Sequence, residues 1–140
     1  GDGANLADFT FIDDCVSAHV CALKALLELP SARGRAYFIS QGEPMRLWDW
    51  IDQVLALNGI APPKRRVSPK LAMNLAYVFE IFSRISGSKP LFTRFLVSQM
   101  TRHHYFNISA AKRELGFEPK FSMQQALELS FGQRADRFSS

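Results

Sequence analysis

Within residues 1–60, two runs of strand-favouring side chains are each followed by a run with helical spacing, and this alternation constrains the fold more than any other feature of the chain. Phe9, Thr10, Phe11 and Ile12 form the first run, because aromatic and β-branched side chains suit a pleated surface. Asp13 or Asp14 then offers an acceptor for the unpaired amides of a helix start. In the helix that follows, Val16, Val20, Leu23 and Leu27 recur at spacings of four, three and four, which predicts one buried stripe ended by Pro30. Residues 35–40 read as a second strand whose apolar centre predicts burial on both faces, and residues 42–44 as the loop after it. Strand, helix, strand, helix is the grammar of a parallel sheet with crossover helices. Two strands make a poor sheet alone, so they are expected to belong to a larger sheet whose other members lie outside this sequence, or to pair with a partner in an unusual way.

The remaining pattern is mostly helical. Leu47, Trp50, Ile51, Val54 and Leu55 trace a second helical face, with Gly59 placed to turn left-handed and stop it. Residues 64–67 read as a short strand. Ser68 as N-cap and Pro69 at the first helical position predict a third helix reaching Ser86 or Gly87, apolar nearly all round. Residues 92–101 read as a further helix, Tyr105 and Phe106 as a short strand, and residues 109–115 as a helix ended by Gly116. Ser122 and Gln125 match a capping box, so a last helix is expected from Met123 to about Phe131, with a disordered tail over residues 133–140.

Composition excludes several classes. Apolar residues make up 47% of the 140, enough for a core, and disorder is not expected. The apolar run over residues 71–85 is broken by Asn74, Glu80, Ser83 and Arg84, short of the ~20 residues that span a bilayer. No leader opens the chain, which starts Gly1, Asp2, Gly3 as though cut from something longer, and a cytoplasmic location is expected. The two cysteines, Cys15 and Cys21, fall about 240° apart on one helix and should stay reduced. No spacing of His and Cys suits a metal.

Charge is unevenly distributed. Residues 1–63 carry four basic and eight acidic side chains, whereas residues 64–113 carry ten basic side chains and the single acid Glu80. Such a block suits an anionic ligand, lipid surface or acidic protein, or is a solvated face. Nucleic acid is not expected, since the cations are not interleaved with exposed aromatics and glycines.

Three stretches carry a resemblance: Gly1-Asp2-Gly3-Ala4-Asn5 through Asp8-Phe9-Thr10-Phe11-Ile12-Asp13-Asp14; Ala36-Tyr37-Phe38-Ile39-Ser40-Gln41-Gly42-Glu43-Pro44; and Tyr105-Phe106-Asn107-Ile108-Ser109 through Gly116-Phe117-Glu118-Pro119. In this order they resemble the C-terminal part of an extended short-chain dehydrogenase/reductase of the NAD-dependent epimerase/dehydratase superfamily. The likeness is greatest to the 3β-hydroxysteroid dehydrogenase/isomerase family, with its bacterial branch of 2-alkyl-3-oxoalkanoate reductases. The resemblance implies an α/β fold: the C-terminal portion of an extended Rossmann-type protein, mostly helical with a few short strands. Residues 1–132 would be its substrate-binding part, and the Rossmann part that holds NAD or NADP would lie outside this sequence.

The family's working residues for redox chemistry are not found in this stretch. None of the eight glycines forms GxGxxG or GxxGxxG, the spacing that lets backbone amides approach a pyrophosphate. The family's catalytic Tyr is followed four residues on by Lys, whereas here Tyr37, Tyr77 and Tyr105 are followed by Gln41, Ile81 and Ser109. No cofactor binding and no hydride transfer are therefore expected of this stretch alone. Nucleotide-sugar epimerases usually carry an Arg just before the first strand; Ala7 and Asp8 stand here, which disfavours a sugar nucleotide.

A large apolar substrate is the expected ligand. Met73, Tyr77 and Phe82 on the third helix, with Phe92, are candidate walls of its pocket. Arg94, in Phe92-Thr93-Arg94-Phe95, resembles the family's Thr-Arg-Phe segment and either holds a substrate oxygen through its planar fork or serves as a structural cation. Asn5 either touches substrate or orients its loop. Asp13 and Asp14 are read as helix caps, Trp48 and Trp50 as packing residues, and His103 and His104 as one inward and one outward side chain. The expected partners are the missing Rossmann part and a second copy in a homo-oligomer, with peripheral membrane contact as a further use of the apolar third helix. A non-catalytic binding or oligomerisation module that retains this fold is the alternative.

Overall fold

The computed structural model of the chain describes residues 2–90 and 92–132; the tail expected at residues 133–140 lies outside them. Helices dominate: α1 (Ile12–Glu28), α2 (Leu47–Leu57), α3 (Pro69–Ser86), α4 (Arg94–Thr101), α5 (Ser109–Leu115) and α6 (Met123–Phe131). Strands β1 (Leu6–Ala7) and β2 (Met45–Arg46) pair antiparallel, with Leu6 opposite Arg46 and Ala7 opposite Met45. The capping signals were legible. Ser68 Oγ accepts the Leu71 amide at 3.3 Å, Pro69 occupies the first turn of α3, and the Ser122–Gln125 capping box starts α6. Gly59, at φ +68°, turns the chain left-handed after α2 as the sequence requires.

The expected parallel sheet is not what forms among the described residues. Residues 9–12 and 35–40 are not strands; they lie side by side through one backbone bond, Gln41 N–H to Phe9 O at 3.0 Å, and through side chains. The Phe11 amide, which a ladder would use, donates to Gln41 Oε1 at 2.9 Å, and Thr10 Oγ1 donates to the Ile39 carbonyl at 2.8 Å. With the amide diverted to a side chain, no ladder can extend. Residues 64–67 are likewise not a strand. The strand expected at Tyr105 and Phe106 is displaced: parallel pairing occurs as a single bridge between Ala7 and His104, held by His104 N–H to Leu6 O at 2.7 Å. Residues 35–40 are also not buried on both faces, since Phe38 is exposed and stacks on Phe106 with ring centroids 4.1 Å apart.

Helix α1 differs most from expectation. Val16, Val20, Leu23 and Leu27 are exposed, Leu27 to 76%. The face packed into this chain carries Asp14, Ala18, half-buried Cys21 and Ala25, about 180° round the helix. Small side chains there let α1 lie close against α5. The core beneath holds Ala18, Ile108, Ala111 and Phe117, with Tyr37, Ile39 and Leu115 packed against it. Gly42, at φ +71°, closes this core from the loop side, because a Cβ there would stand 2.9 Å from Ile108 Cδ1. Asp14 is not a helix cap. The first turn of α1 has no side-chain cap, and the Asp14 carboxylate is wholly buried. It accepts the Lys120 amide at 2.9 Å and the Phe121 amide at 3.3 Å, and receives the Gln41 side-chain amide as well.

Candidate functional site

Helices α2, α3 and α4, with the segments before α1 and before α3, surround a cleft of about 470 Å³. Its apolar surface comes from Trp48, Ala72, Phe92, Leu96, Val97 and Met100. Arg46, Arg65 and Arg66 line it together with Asp2, Asp49 and Asp52, so the charged side chains of the lining balance. A shallower depression of about 420 Å³ adjoins it, sharing Asp2, Arg66, Val67 and Thr101. Arg66 Nη1 donates to the Asp2 carbonyl at 3.3 Å, which draws the segment before α3 over the start of the chain. Thr93 starts α4 by accepting the Leu96 amide on its Oγ1 at 3.2 Å, and this turn aims Leu96, Val97 and Met100 along one side of the helix. A chargewise neutral, half-apolar cleft suits an uncharged body with a few polar substituents better than a diphosphate.

The residues singled out from the sequence are distributed over this region. Phe92 lines the cleft. Asn5 is buried beside it and structural in its contacts: its side-chain amide donates to the Arg102 carbonyl at 3.4 Å and its own carbonyl accepts the Leu47 amide at 3.0 Å. Arg94 and Tyr77 come together, with the guanidinium 5.2 Å from the ring centroid. Arg94 is also clamped by Glu80, its Nε at 2.8 Å from one carboxylate oxygen and its backbone amide at 2.8 Å from the other. The Arg94 amide and then its guanidinium hold the Glu80 carboxyl below the usual carboxylate range, against the opposing effect of burial. Met73, half-buried, and Tyr77 and Phe82, both exposed, do not line the cleft.

Several lining residues were not singled out from the sequence. The sequence marks Trp48 only as a packing residue, and it assigns no face to the helix that carries Leu96, Val97 and Met100. Their spacing of one and three is the helical signal that marks one side. Trp50 does pack, stacked on Phe9 at 4.3 Å between ring centroids. Asp8 turns inward: its Oδ2 accepts Ser40 Oγ at 2.7 Å and the Gly42 amide at 2.8 Å. His103 is exposed and His104 half-buried, and His103 Nδ1 accepts the Leu6 amide at 3.1 Å.

Comparison of the backbone with solved structures finds the same architecture in a protein described as "Crystal structure of gox2253". The match has a TM-score of 0.59 and 23% sequence identity over 95% of this chain and 39% of that one. Together with the sequence relatives below, this fold defines the C-terminal part of an extended short-chain dehydrogenase/reductase. The family model for the 3-beta hydroxysteroid dehydrogenase/isomerase family matches residues 1–70, and the chain belongs to that family. A 2-alkyl-3-oxoalkanoate reductase of Stenotrophomonas maltophilia is 35% identical over 91% of this chain. A 3beta-hydroxysteroid-dehydrogenase/decarboxylase of Arabidopsis thaliana is 33% identical over 91% of it. The chain spans 39% of the first relative's length and 31% of the second's.

Proposed function

We propose that this chain is the substrate-binding part of an NAD(P)-dependent oxidoreductase that interconverts a secondary alcohol and a ketone on a large apolar molecule. The substrate would be of 3β-hydroxysteroid or 2-alkyl-3-oxoacid type. The observation that carries this reading is the cleft between α2, α3 and α4, apolar over much of its lining and balanced in charge, in a chain of this family. Trp48, Phe92, Leu96 and Met100 would hold the apolar body by excluding water from it.

The residues of this chain do not fit a dinucleotide. Its glycines lack the spacing of a pyrophosphate loop, and no tyrosine has a lysine four residues on. Binding of NAD or NADP and the proton transfer to oxygen would therefore belong to the Rossmann part of the whole protein. The two faces of α1 support this division of labour. One face is packed within this chain and the opposite one, with Val16, Val20, Leu23 and Leu27, is exposed, as expected of a helix between two layers. The free thiols of Cys15 and Cys21 fit a reducing compartment such as the cytoplasm.

The test is turnover by the protein in its full natural length, followed by nicotinamide absorbance with a hydroxysteroid and with a 2-alkyl-3-oxoacid, each with both nucleotides. Turnover of one substrate class is expected. Failure with all four combinations by a folded protein would contradict the reading.

A further inference from the structure

We propose that residues 59–67, between α2 and α3, form a strap that closes over the cleft when an apolar molecule fills it, drawn down by pairing of Arg65 with Asp49 and Asp52 of α2. The strap is tethered at both ends. At the α2 end the Gly59 amide donates to the Ala56 carbonyl at 3.0 Å and the Ile60 amide to the Leu55 carbonyl at 2.9 Å. At the α3 end Ser68 caps the helix. Between these tethers every residue is exposed and none belongs to a helix or strand, which is the composition of a segment that opens easily. Pro62 and Pro63 fix two successive φ angles, so this segment moves as a stiff arm. Gly59, at φ +68° with nothing within 4 Å of where a Cβ would stand, has room to act as its pivot.

Charge supplies the closing force. Pro63, Arg65, Arg66 and Val67 of the strap line the cleft, and so do Asp49 and Asp52, which stand three residues apart and therefore on one side of α2. Opposite charges on two separate elements thus border one cavity. Among the described residues, however, no ion pair includes Arg65, Asp49 or Asp52. In an open, hydrated cleft such a pair gains little over the entropy of holding the strap still. An apolar molecule changes that balance. It displaces the water around these side chains, and their attraction strengthens as the local dielectric falls. The closed strap in turn covers the bound molecule with Pro63 and Val67, so the molecule is held more tightly by the closed form than by the open one. The inference rests on the reading of this cleft as the substrate site and adds a gate to it.

The experiment uses the full-length natural protein and has two arms. In the first, Asp52→Cys and Arg65→Cys are combined and mildly oxidised without substrate, and peptide mass spectrometry reads the cross-link. A disulfide between positions 52 and 65 is expected; its absence would overturn the proposal, because the strap would then not reach α2. In the second, amide hydrogen exchange over residues 59–67 is compared with and without whichever of a hydroxysteroid and a 2-alkyl-3-oxoacid the protein turns over. Exchange is expected to slow about fivefold or more with that substrate. Arg65→Asp and Asp52→Arg, each alone, should abolish most of the slowing and raise the substrate KM about fivefold. The two together should restore both, with thermal melting unchanged throughout, since both positions are exposed. Slowing that survives Arg65→Asp would come from the substrate covering the strap and would overturn the proposal, as would failure of the reversed pair to restore it. Turnover of neither substrate would contradict the proposed reaction, and the substrate-free cross-link then decides the strap.

Discussion

The buried carboxylate of Asp14, at the start of α1, accepts the backbone amide of Lys120 at 2.9 Å across 106 residues of sequence. This bond fastens the segment before α6 to the first helix. Gln41, which donates to the same carboxylate and to the Phe121 carbonyl at 3.0 Å, joins the loop before β2 to both. Three separate stretches of the chain thus meet on one side chain. Asp14→Ala is expected to leave the Lys120 and Phe121 amides unpaired away from water and to cost about 2–4 kcal/mol of stability. Denaturant unfolding measures this; a loss below about 1 kcal/mol would show that water replaces the carboxylate.

Tyr37, Glu114, Arg113 and Arg35 form a second polar cluster, beside the core. Tyr37 Oη donates to Glu114 Oε2 at 2.9 Å, with Arg113 at 3.0 Å and Arg35 at 2.6 Å from the same carboxylate. The Tyr37 hydrogen bond, followed by that of Arg113, holds the Glu114 carboxyl below its ordinary range. A carboxyl depressed on folding adds stability above its unfolded pKa and loses it as pH falls through the folded value. Thermal stability is therefore expected to decline on the acid side of the ordinary carboxylate range, and Glu114→Gln to flatten that decline. An unchanged acid limb in the variant would assign it elsewhere. At the alkaline end the sign reverses. Burial first, and the bond to Glu114 second, push the Tyr37 phenol up, so its contribution is present below the unfolded tyrosine pKa and lost as pH rises through the folded one.

Gly42 combines a left-handed backbone, φ +71°, with a neighbour that a methyl group would strike. Gly42→Ala is expected to cost about 1–3 kcal/mol, since Ile108 must shift within a packed cluster and the backbone itself resists a side chain there. Gly34, with a similar φ of +75° but nothing within 4 Å, isolates the backbone part. Gly34→Ala should cost less than Gly42→Ala in the same unfolding measurement, and equal costs would remove Ile108 from the explanation.

Local chemistry made the helices legible in the sequence. Ser68-Pro69 and the Ser122–Gln125 pair state their caps within four residues, and both caps form. The supposed strands failed because strand pairing depends on which acceptor reaches an amide. Gln41 captures that of Phe11 from thirty residues away, which no local pattern announces. On α1 the larger side chains suggested the buried stripe, yet the smaller ones face the core, since close helix contact selects small residues. For the candidate site, Phe92 could be identified because its segment carried a resemblance. Trp48, Leu96, Val97 and Met100 become a lining only when α2, α3 and α4 converge.

The division of labour between this chain and a nicotinamide-binding part is tested most directly by the kinetics of Phe92→Ala and Met100→Ala in the full-length natural enzyme. Removing either side chain takes apolar area from the cleft wall, so KM for the apolar substrate is expected to rise about tenfold. KM for the nicotinamide nucleotide should stay within about twofold of the parent value. A rise in the nucleotide KM with the substrate KM unchanged would contradict the account.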